Sequence, residues 1–146
     1  MIITRMAQCH VSQIADLERL CFNDPWSENS IASELNNKLS HWLVALDGEK
    51  VIGYVGSQTV LGETDMMNIA VHPDYRKRGI ATELIQELIN ALNERNSHSL
   101  MLEVRESNDP AKELYLKMGF ELVGIRKNYY RNPKENALIL RKEWCL

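Results

Sequence analysis

The chain has 146 residues, 45% hydrophobic and 25% charged, with a formal net charge of -3. That length and composition suit a single globular domain over residues 1–146 with a core of its own. The acidic balance removes any bulk attraction to nucleic acid. No apolar run approaches the ~20 residues needed to span a bilayer, and Met1-Ile2-Ile3-Thr4-Arg5 lacks a signal-peptide layout, so a cytoplasmic location is expected.

Met1 to Met6 reads as a first strand. Val11 to Phe22 follows with apolar residues at Val11, Ile14, Ala15, Leu17, Leu20 and Cys21, close to helical period. Asn23-Asp24-Pro25 ends that helix, and Ser27 is placed to cap a second one running through Ile31 and Leu35 to Asn37. His41 to Leu46 and Lys50 to Thr59 read as strands flanking Asp47-Gly48, a hairpin turn signal. Glu63 to Val71 is the next strand, with Leu61-Gly62 in the turn before it. After Gly79, Leu84, Ile85, Leu88, Ile89 and Leu92 share one helix face. Asn93 to His98 is a polar loop, Ser99 to Arg105 a strand, and Asn108 to Met118 a helix closed by Gly119. Phe120 to Tyr130 and Glu135 to Glu143 are the last strands, with Asn132-Pro133 in their turn.

This order predicts a mixed sheet with helices on both faces. The helical crossover predicts that Glu63–Val71 and Ser99–Arg105 pair in parallel. Cys9, Cys21 and Cys145 are scattered and odd in number, and make neither a CxxC nor a zinc-type spacing with His10, His41, His72 or His98. No disulfide framework and no metal is expected. Cys21, in an apolar context, reads as a core thiol, and Cys145 as an exposed, oxidisable one.

The most informative segment runs from Asn68 through Ile69-Ala70-Val71-His72-Pro73 to Arg76-Lys77-Arg78-Gly79-Ile80-Ala81. It reads as a strand, a tight turn and a helix start. Helix N-termini expose unpaired N–H groups and the positive end of the dipole. Gly79 and Ala81 let a bulky anion approach, and three cations stand beside them. Either this is turn chemistry with solvated side chains, or it is a pyrophosphate site; neither the GxGxxG nor the P-loop glycine spacing is present.

Glu103 is a carboxylate in an otherwise apolar strand, on the face shared by Met101 and Arg105. It is either a partly exposed charge paired with an arginine or a general base near the carboxyl end of a central strand, where ligands collect in open α/β sheets. Asn108 either caps its helix or hydrogen-bonds a ligand. Tyr115 is either a packed aromatic or an acid with its hydroxyl in a cleft.

Together these pieces resemble the GNAT superfamily of acyl-CoA-dependent N-acyltransferases. Arg76-Lys77-Arg78-Gly79-Ile80-Ala81 matches its pyrophosphate loop, (Arg/Gln)-x-x-Gly-x-(Gly/Ala), and the likeness continues through Asn108, Ala111, Leu114-Tyr115 and Gly119-Phe120. Asp24-Pro25-Trp26-Ser27, Leu102-Glu103-Val104-Arg105-Glu106-Ser107-Asn108 and Gly124-Ile125-Arg126-Lys127-Asn128-Tyr129-Tyr130 resemble, more closely, the bacterial ribosomal-protein-alanine N-acetyltransferases.

The resemblance implies a mixed α/β fold of the α+β kind: a mostly antiparallel seven-stranded sheet flanked by about four helices, with a parallel, splayed central pair. It implies acetyl-CoA as cosubstrate, no metal, and the α-amine of a ribosomal small-subunit protein as acceptor, with direct transfer in a ternary complex. Neither a membrane nor nucleic acid is an expected partner. Ile69, Ala70 and Val71 would contact the acetyl and pantetheine end. Arg76, Lys77, Arg78, Gly79, Ile80, Ala81 and Thr82 would wrap the pyrophosphate, and Asn108 would bind the pantetheine arm. Glu103 would be the general base and Tyr115 the general acid, with Trp26, Tyr129, Tyr130 and Arg131 toward the peptide.

One departure is visible: Glu135-Asn136-Ala137 stands where that family often has Glu-Asp-Ala, which bears on target preference. The competing readings are acetylation of a lysine or small amine, a non-catalytic acyl-CoA sensor, and nucleic-acid binding through Arg76 to Arg78.

Overall fold

A computed structural model describes residues 1–144; Cys145 lies outside the described residues. The strands are β1 (Ile2–Arg5), β2 (Ser40–Asp47), β3 (Lys50–Val60), β4 (Glu63–Val71), β5 (Ser99–Arg105), β6 (Glu121–Tyr130) and β7 (Glu135–Glu143). The helices are α1 (Val11–Cys21), α2 (Glu28–Glu34), α3 (Ile80–Glu94) and α4 (Asp109–Lys117). Single 3-10 turns at Gln8–His10 and Pro73–Tyr75 add to what the sequence reading contains.

All seven strands form one sheet in the order β1-β2-β3-β4-β5-β7-β6. Every neighbouring pair is antiparallel except β4 and β5, which run parallel as the crossover through α3 requires. The β2–β3 turn differs slightly from expectation. Asp47 pairs with Lys50, so the loop is Gly48-Glu49, with Gly48 at φ +61.

Side chains alternate across the sheet and build a core on each face. Leu43, Ala45, Ile52 and Val55 join Leu84, Ile85, Leu88, Ile89 and Leu92 of α3 and Tyr115 of α4. Trp42, Val44, Val51 and Tyr54 join Val11, Ile14, Ala15 and Leu17 of α1 and Ile31 of α2. Each fully buried Leu or Ile on these faces contributes about 1.5–3 kcal/mol.

One expectation for α1 is corrected. Leu20 is exposed, and Glu18 is buried in its place. Residues 11, 14, 15 and 18 form one helical stripe, and the fourth position carries the carboxylate. Cys21, the last residue of α1, is half-buried: it packs against the edge of the α1-side core and also lines a cleft. Helix α2 is shorter than expected, ending at Glu34. Ser27 does cap it, its Oγ accepting from the Ser30 N–H at 3.1 Å.

One glycine governs the packing behind the cleft. The Trp42 ring stacks on Tyr54 at 5.8 Å and meets Trp26 edge-on at 5.4 Å. A Cβ on Gly56 would lie 2.3 Å from that indole. Gly56→Ala is therefore expected to destabilise the fold by about 1–3 kcal/mol through overpacking, read as a lowered midpoint in thermal melting.

Candidate active site

Strands β4 and β5 pair over only three positions, Glu63 with Ser99, Thr64 with Leu100 and Asp65 with Met101. Beyond these they part. The far edge of β4 stays paired with β3, Gly56 opposite Asn68 and Ser57 opposite Met66, so Met67 is the extra residue of a bulge. The far edge of β5 stays paired with β7 along its whole length. The opening between them is a cavity of about 730 Å³.

Glu103, Asn108, Tyr115, Ile69, Trp26, Tyr129 and Tyr130 all line this cavity, although they come from β5, α4, β4, the α1–α2 loop and β6. Ala70, Val71, Arg131 and the Arg76–Thr82 loop are not among its lining residues. Ala70 is buried in the core beneath β4. The Arg131 carbonyl accepts from the Arg105 guanidinium at 3.0 Å.

Glu103 presents two different oxygens. Oε1 lies 3.5 Å from Arg126 Nε. Oε2 is buried and has no hydrogen-bond partner among the described residues. Burial and the neighbouring Glu103 carboxylate push the Tyr129 phenol above its ordinary value. The same two causes take Tyr130 up to about 12. Tyr115 is almost wholly buried, edge-on to Phe120 at 5.6 Å, and burial pushes its phenol up to about 12 as well. It therefore holds its proton throughout the neutral range.

Asn108 fills the capping role of its two sequence readings. Its Oδ1 caps α4, accepting from the Ala111 N–H at 3.3 Å. Its Nδ2 makes no hydrogen bond among the described residues.

Past the C-terminal end of β4, Gly79 precedes α3 at φ +77, a left-handed conformation that favours glycine, and the space where a Cβ would stand is open. The Glu83 N–H reaches the Gly79 carbonyl at 3.1 Å, which leaves the N–H groups of Ile80, Ala81 and Thr82 without helical acceptors. The three cations do not act as one patch. Arg76 Nε folds back onto the Val71 carbonyl at 3.1 Å, with its Nη2 3.5 Å from Cys21 Sγ. Arg78 lies over the Tyr75 ring at 5.1 Å, and Lys77 is exposed with φ +64.

Several contributing residues escaped the sequence reading. Arg105 clasps the β6–β7 loop. It donates to the carbonyls of Pro133 at 2.9 Å and Arg131, pairs with Glu135 at 3.2 Å and lies over Tyr130 at 4.4 Å. Glu135 in turn accepts from the Ser107 N–H at 2.6 Å, and the Ser107 hydroxyl, with that N–H and Arg105, holds its carboxyl below the usual range. Asn23 of the α1–α2 loop donates to the Asn132 carbonyl at 2.7 Å, joining the two loops that flank the cavity. Asn136, the departure noted in the sequence, accepts from the Asn128 N–H at 2.9 Å and donates to Glu106 at 3.2 Å. An aspartate there could not make the second bond.

A bulged strand splayed from its parallel neighbour, with an open helix N-terminus beyond it, is what the resemblance to the acyltransferases implies. The chain belongs to the acetyltransferase (GNAT) family, whose description matches residues 11–120, and it is an N-acetyltransferase. It is 36% identical over 142 residues to the [ribosomal protein bS18]-alanine N-acetyltransferase of Haemophilus influenzae, covering 95% of this chain and 96% of that one. It is 38% identical over 118 residues to the enzyme of the same name from Escherichia coli strain K12, covering 80% and 79%. The crystal structure of the ribosomal-protein-S18-alanine N-acetyltransferase from Escherichia coli superposes with a TM-score of 0.91 at 31% identity, over 99% of this chain and 94% of that one.

The raised Tyr115 pKa has a consequence for stability. The folded state keeps the proton to about 12, whereas an unfolded tyrosine loses it near the ordinary 10.0. Stability from this group is complete below the unfolded value and is lost as pH rises through the folded one. Tyr115→Phe should therefore move the midpoint of alkaline unfolding, followed by far-UV circular dichroism, to higher pH.

Proposed function

We propose that this enzyme transfers the acetyl group of acetyl-CoA to the α-amine of a protein beginning with alanine, a ribosomal small-subunit protein, within a ternary complex. The observation that carries the reading is the meeting of Glu103, Tyr115 and Asn108 with Trp26, Tyr129 and Tyr130 around one cavity at the β4–β5 splay. The relatives named for ribosomal protein bS18-alanine support the acceptor.

The site has features that suit the donor. The open N–H groups before and within the first turn of α3, with Arg76 to Thr82 around them, suit a pyrophosphate. The Asn108 Nδ2 is a spare donor for an amide of the pantetheine arm. Ile69 to Val71 offer the unpaired edge of β4 to its acetyl end. The acceptor enters between Trp26 and the Tyr129-Tyr130 pair, with Arg131 at the rim.

An α-amine has a pKa of ~8 and is largely protonated at neutral pH, so it must lose a proton before it attacks. Glu103 takes that proton on its unpartnered Oε2, directly or through one water. The amine nitrogen bonds to the thioester carbonyl carbon, and the Ile69 N–H stabilises the oxyanion that forms. The C–S bond then breaks as Tyr115 gives its proton to the departing thiolate, and the acetylated nitrogen sheds its second proton, through water, to restore the Tyr115 hydroxyl. Because a thiol has a pKa of only ~8.5, the thiolate is a fair leaving group and the acid matters less than the base. Much of the remaining acceleration comes from holding amine and thioester together.

Glu103→Gln is expected to lower kcat by about 100-fold or more and Tyr115→Phe by less, each with folded protein and unchanged acetyl-CoA binding. The assignment itself is tested by thiol release from acetyl-CoA. The acceptor panel is an alanine-initiated peptide from the ribosomal small-subunit protein, its N-blocked copy, a lysine peptide and a polyamine. Turnover of the free α-amine peptide alone supports the reading. Turnover of only lysine or polyamine replaces the acceptor, and tight acetyl-CoA binding without turnover of any amine removes the assignment.

A further inference from the structure

Glu18 is a buried carboxylate to which the mechanism above gives no part. It is 1% exposed, on the core-facing stripe of α1. Three donors converge on it from three other segments. The Trp26 N–H reaches Oε1 at 2.8 Å, and Oε2 accepts from Asn68 Nδ2 at 2.7 Å and from the Tyr54 hydroxyl. All three donate to it, so its oxygens act as acceptors, while burial pushes the Glu18 carboxyl above its ordinary value. Placing a charge there opposes burial, a cost the fold bears for some return.

Two of the three donors belong to the walls of the cavity. Trp26 is in the α1–α2 loop, on the proposed acceptor side. Asn68 sits just past the bulge of β4, and its amide is bonded at both ends. While Nδ2 donates to Glu18, Oδ1 accepts from the Ile69 N–H at 3.1 Å. Beyond Asp65, β4 has no β5 partner for the groups on that edge, and the Ile69 N–H goes to a side-chain oxygen instead of a strand carbonyl.

We propose that Glu18 is a positioning residue: through Asn68 it orients the Ile69 N–H for the thioester carbonyl oxygen, and through the Trp26 N–H it docks the acceptor wall onto the same strand. In this arrangement the Asn68 Oδ1 occupies the Ile69 N–H until the carbonyl oxygen takes it, so the donor group stays satisfied and aimed between turnovers. Glu18 thereby ties the position of the acceptor to that of the oxyanion donor. The inference rests on the acyl-transfer reading of the site and adds a residue that touches neither substrate.

The test compares steady-state kinetics, acetyl-CoA affinity by calorimetry and thermal melting across five proteins. Glu18→Gln replaces one of the two accepting oxygens with an NH2 donor, and Asn68→Ala removes the relay. Each is expected to lower kcat by about tenfold or more, with acetyl-CoA affinity within about twofold of wild type. The double variant Glu18→Gln with Asn68→Asp reverses donor and acceptor, because a Gln amide donates to an Asp oxygen while the other Asp oxygen still faces Ile69. It is expected to regain kcat over either single change. Tyr54→Phe removes the third donor without touching the relay. It should lower the melting temperature and leave kcat within about twofold.

Wild-type kcat in folded Glu18→Gln or in Asn68→Ala overturns the proposal, as does a Tyr54→Phe enzyme that loses kcat as Glu18→Gln does. Should Glu18→Gln fail to fold, Asn68→Ala, whose side chain is only half-buried, decides alone. If the wild type uses lysine or polyamine instead of an α-amine, the same kcat comparison is made on that acceptor. Failure of the acceptor assignment is then distinct from failure of this inference.

Discussion

The parting of β4 from β5 after three shared positions is the constraint on which the site depends. Splitting a sheet exposes backbone donors and acceptors that water or a ligand must satisfy, and such groups are costly when buried. The opening survives because each strand is held from its far side. Strand β4 is paired with β3 through the bulge at Met67, and β5 is paired with β7 from Ser99 to Arg105. A gap in the middle of a sheet is thus braced by complete pairing on both sides. It is lined by Ile69 on one strand and Glu103 on the other.

Polar contacts between distant segments complete the walls. Arg105 gathers the Arg131 and Pro133 carbonyls and Glu135, tying the β6–β7 loop to the end of β5. Asn23 joins the α1–α2 loop to Asn132 in that same loop. Behind them, Glu18 receives donors from the α1–α2 loop, β3 and β4. Such bonds are needed where a loop, such as the one between α1 and α2, forms part of the wall, because a loop has no ladder of its own to define its position. A carboxylate or guanidinium with several partners does this better than apolar packing, since charge-assisted hydrogen bonds are directional.

Electrostatic environments diverge around the cavity. The Tyr115 and Tyr130 phenols are held protonated by burial, with the Glu103 charge adding to the effect at Tyr130. Glu103 retains one oxygen near Arg126 and one with no protein partner. A carboxylate oxygen with no protein partner and a phenol that keeps its proton thus line the same cavity.

Much of the fold was legible in the chain. Glu63–Val71, Ser99–Arg105 and Glu135–Glu143 have the bounds that alternation and turn residues imply, and the stripe on α3 is buried as its period requires. The misreading in α1 has a long-range cause. Leu20 and Glu18 exchange the places that hydrophobicity alone would assign them, because three donors from other segments make a buried carboxylate tolerable at position 18. The stripe of Val11, Ile14 and Ala15 pointed at that position, yet nothing local identified its partners.

By itself the sequence determined the order and type of the elements, the glycine before α3, the candidate acid and base, and the likeness to a family of acyltransferases. Those properties follow from periodicity, turn chemistry and short motifs, which act over a few neighbouring residues. Only the tertiary structure decided that β7 lies between β5 and β6, where β4 and β5 part, and that residues as far apart as Trp26 and Tyr130 share a cavity. It also decided that Arg76 folds back on Val71 instead of joining Lys77 and Arg78 in one patch. Strand pairing and the burial of charge arise from contacts between segments tens of residues apart, and no local pattern encodes which of those contacts the chain will make.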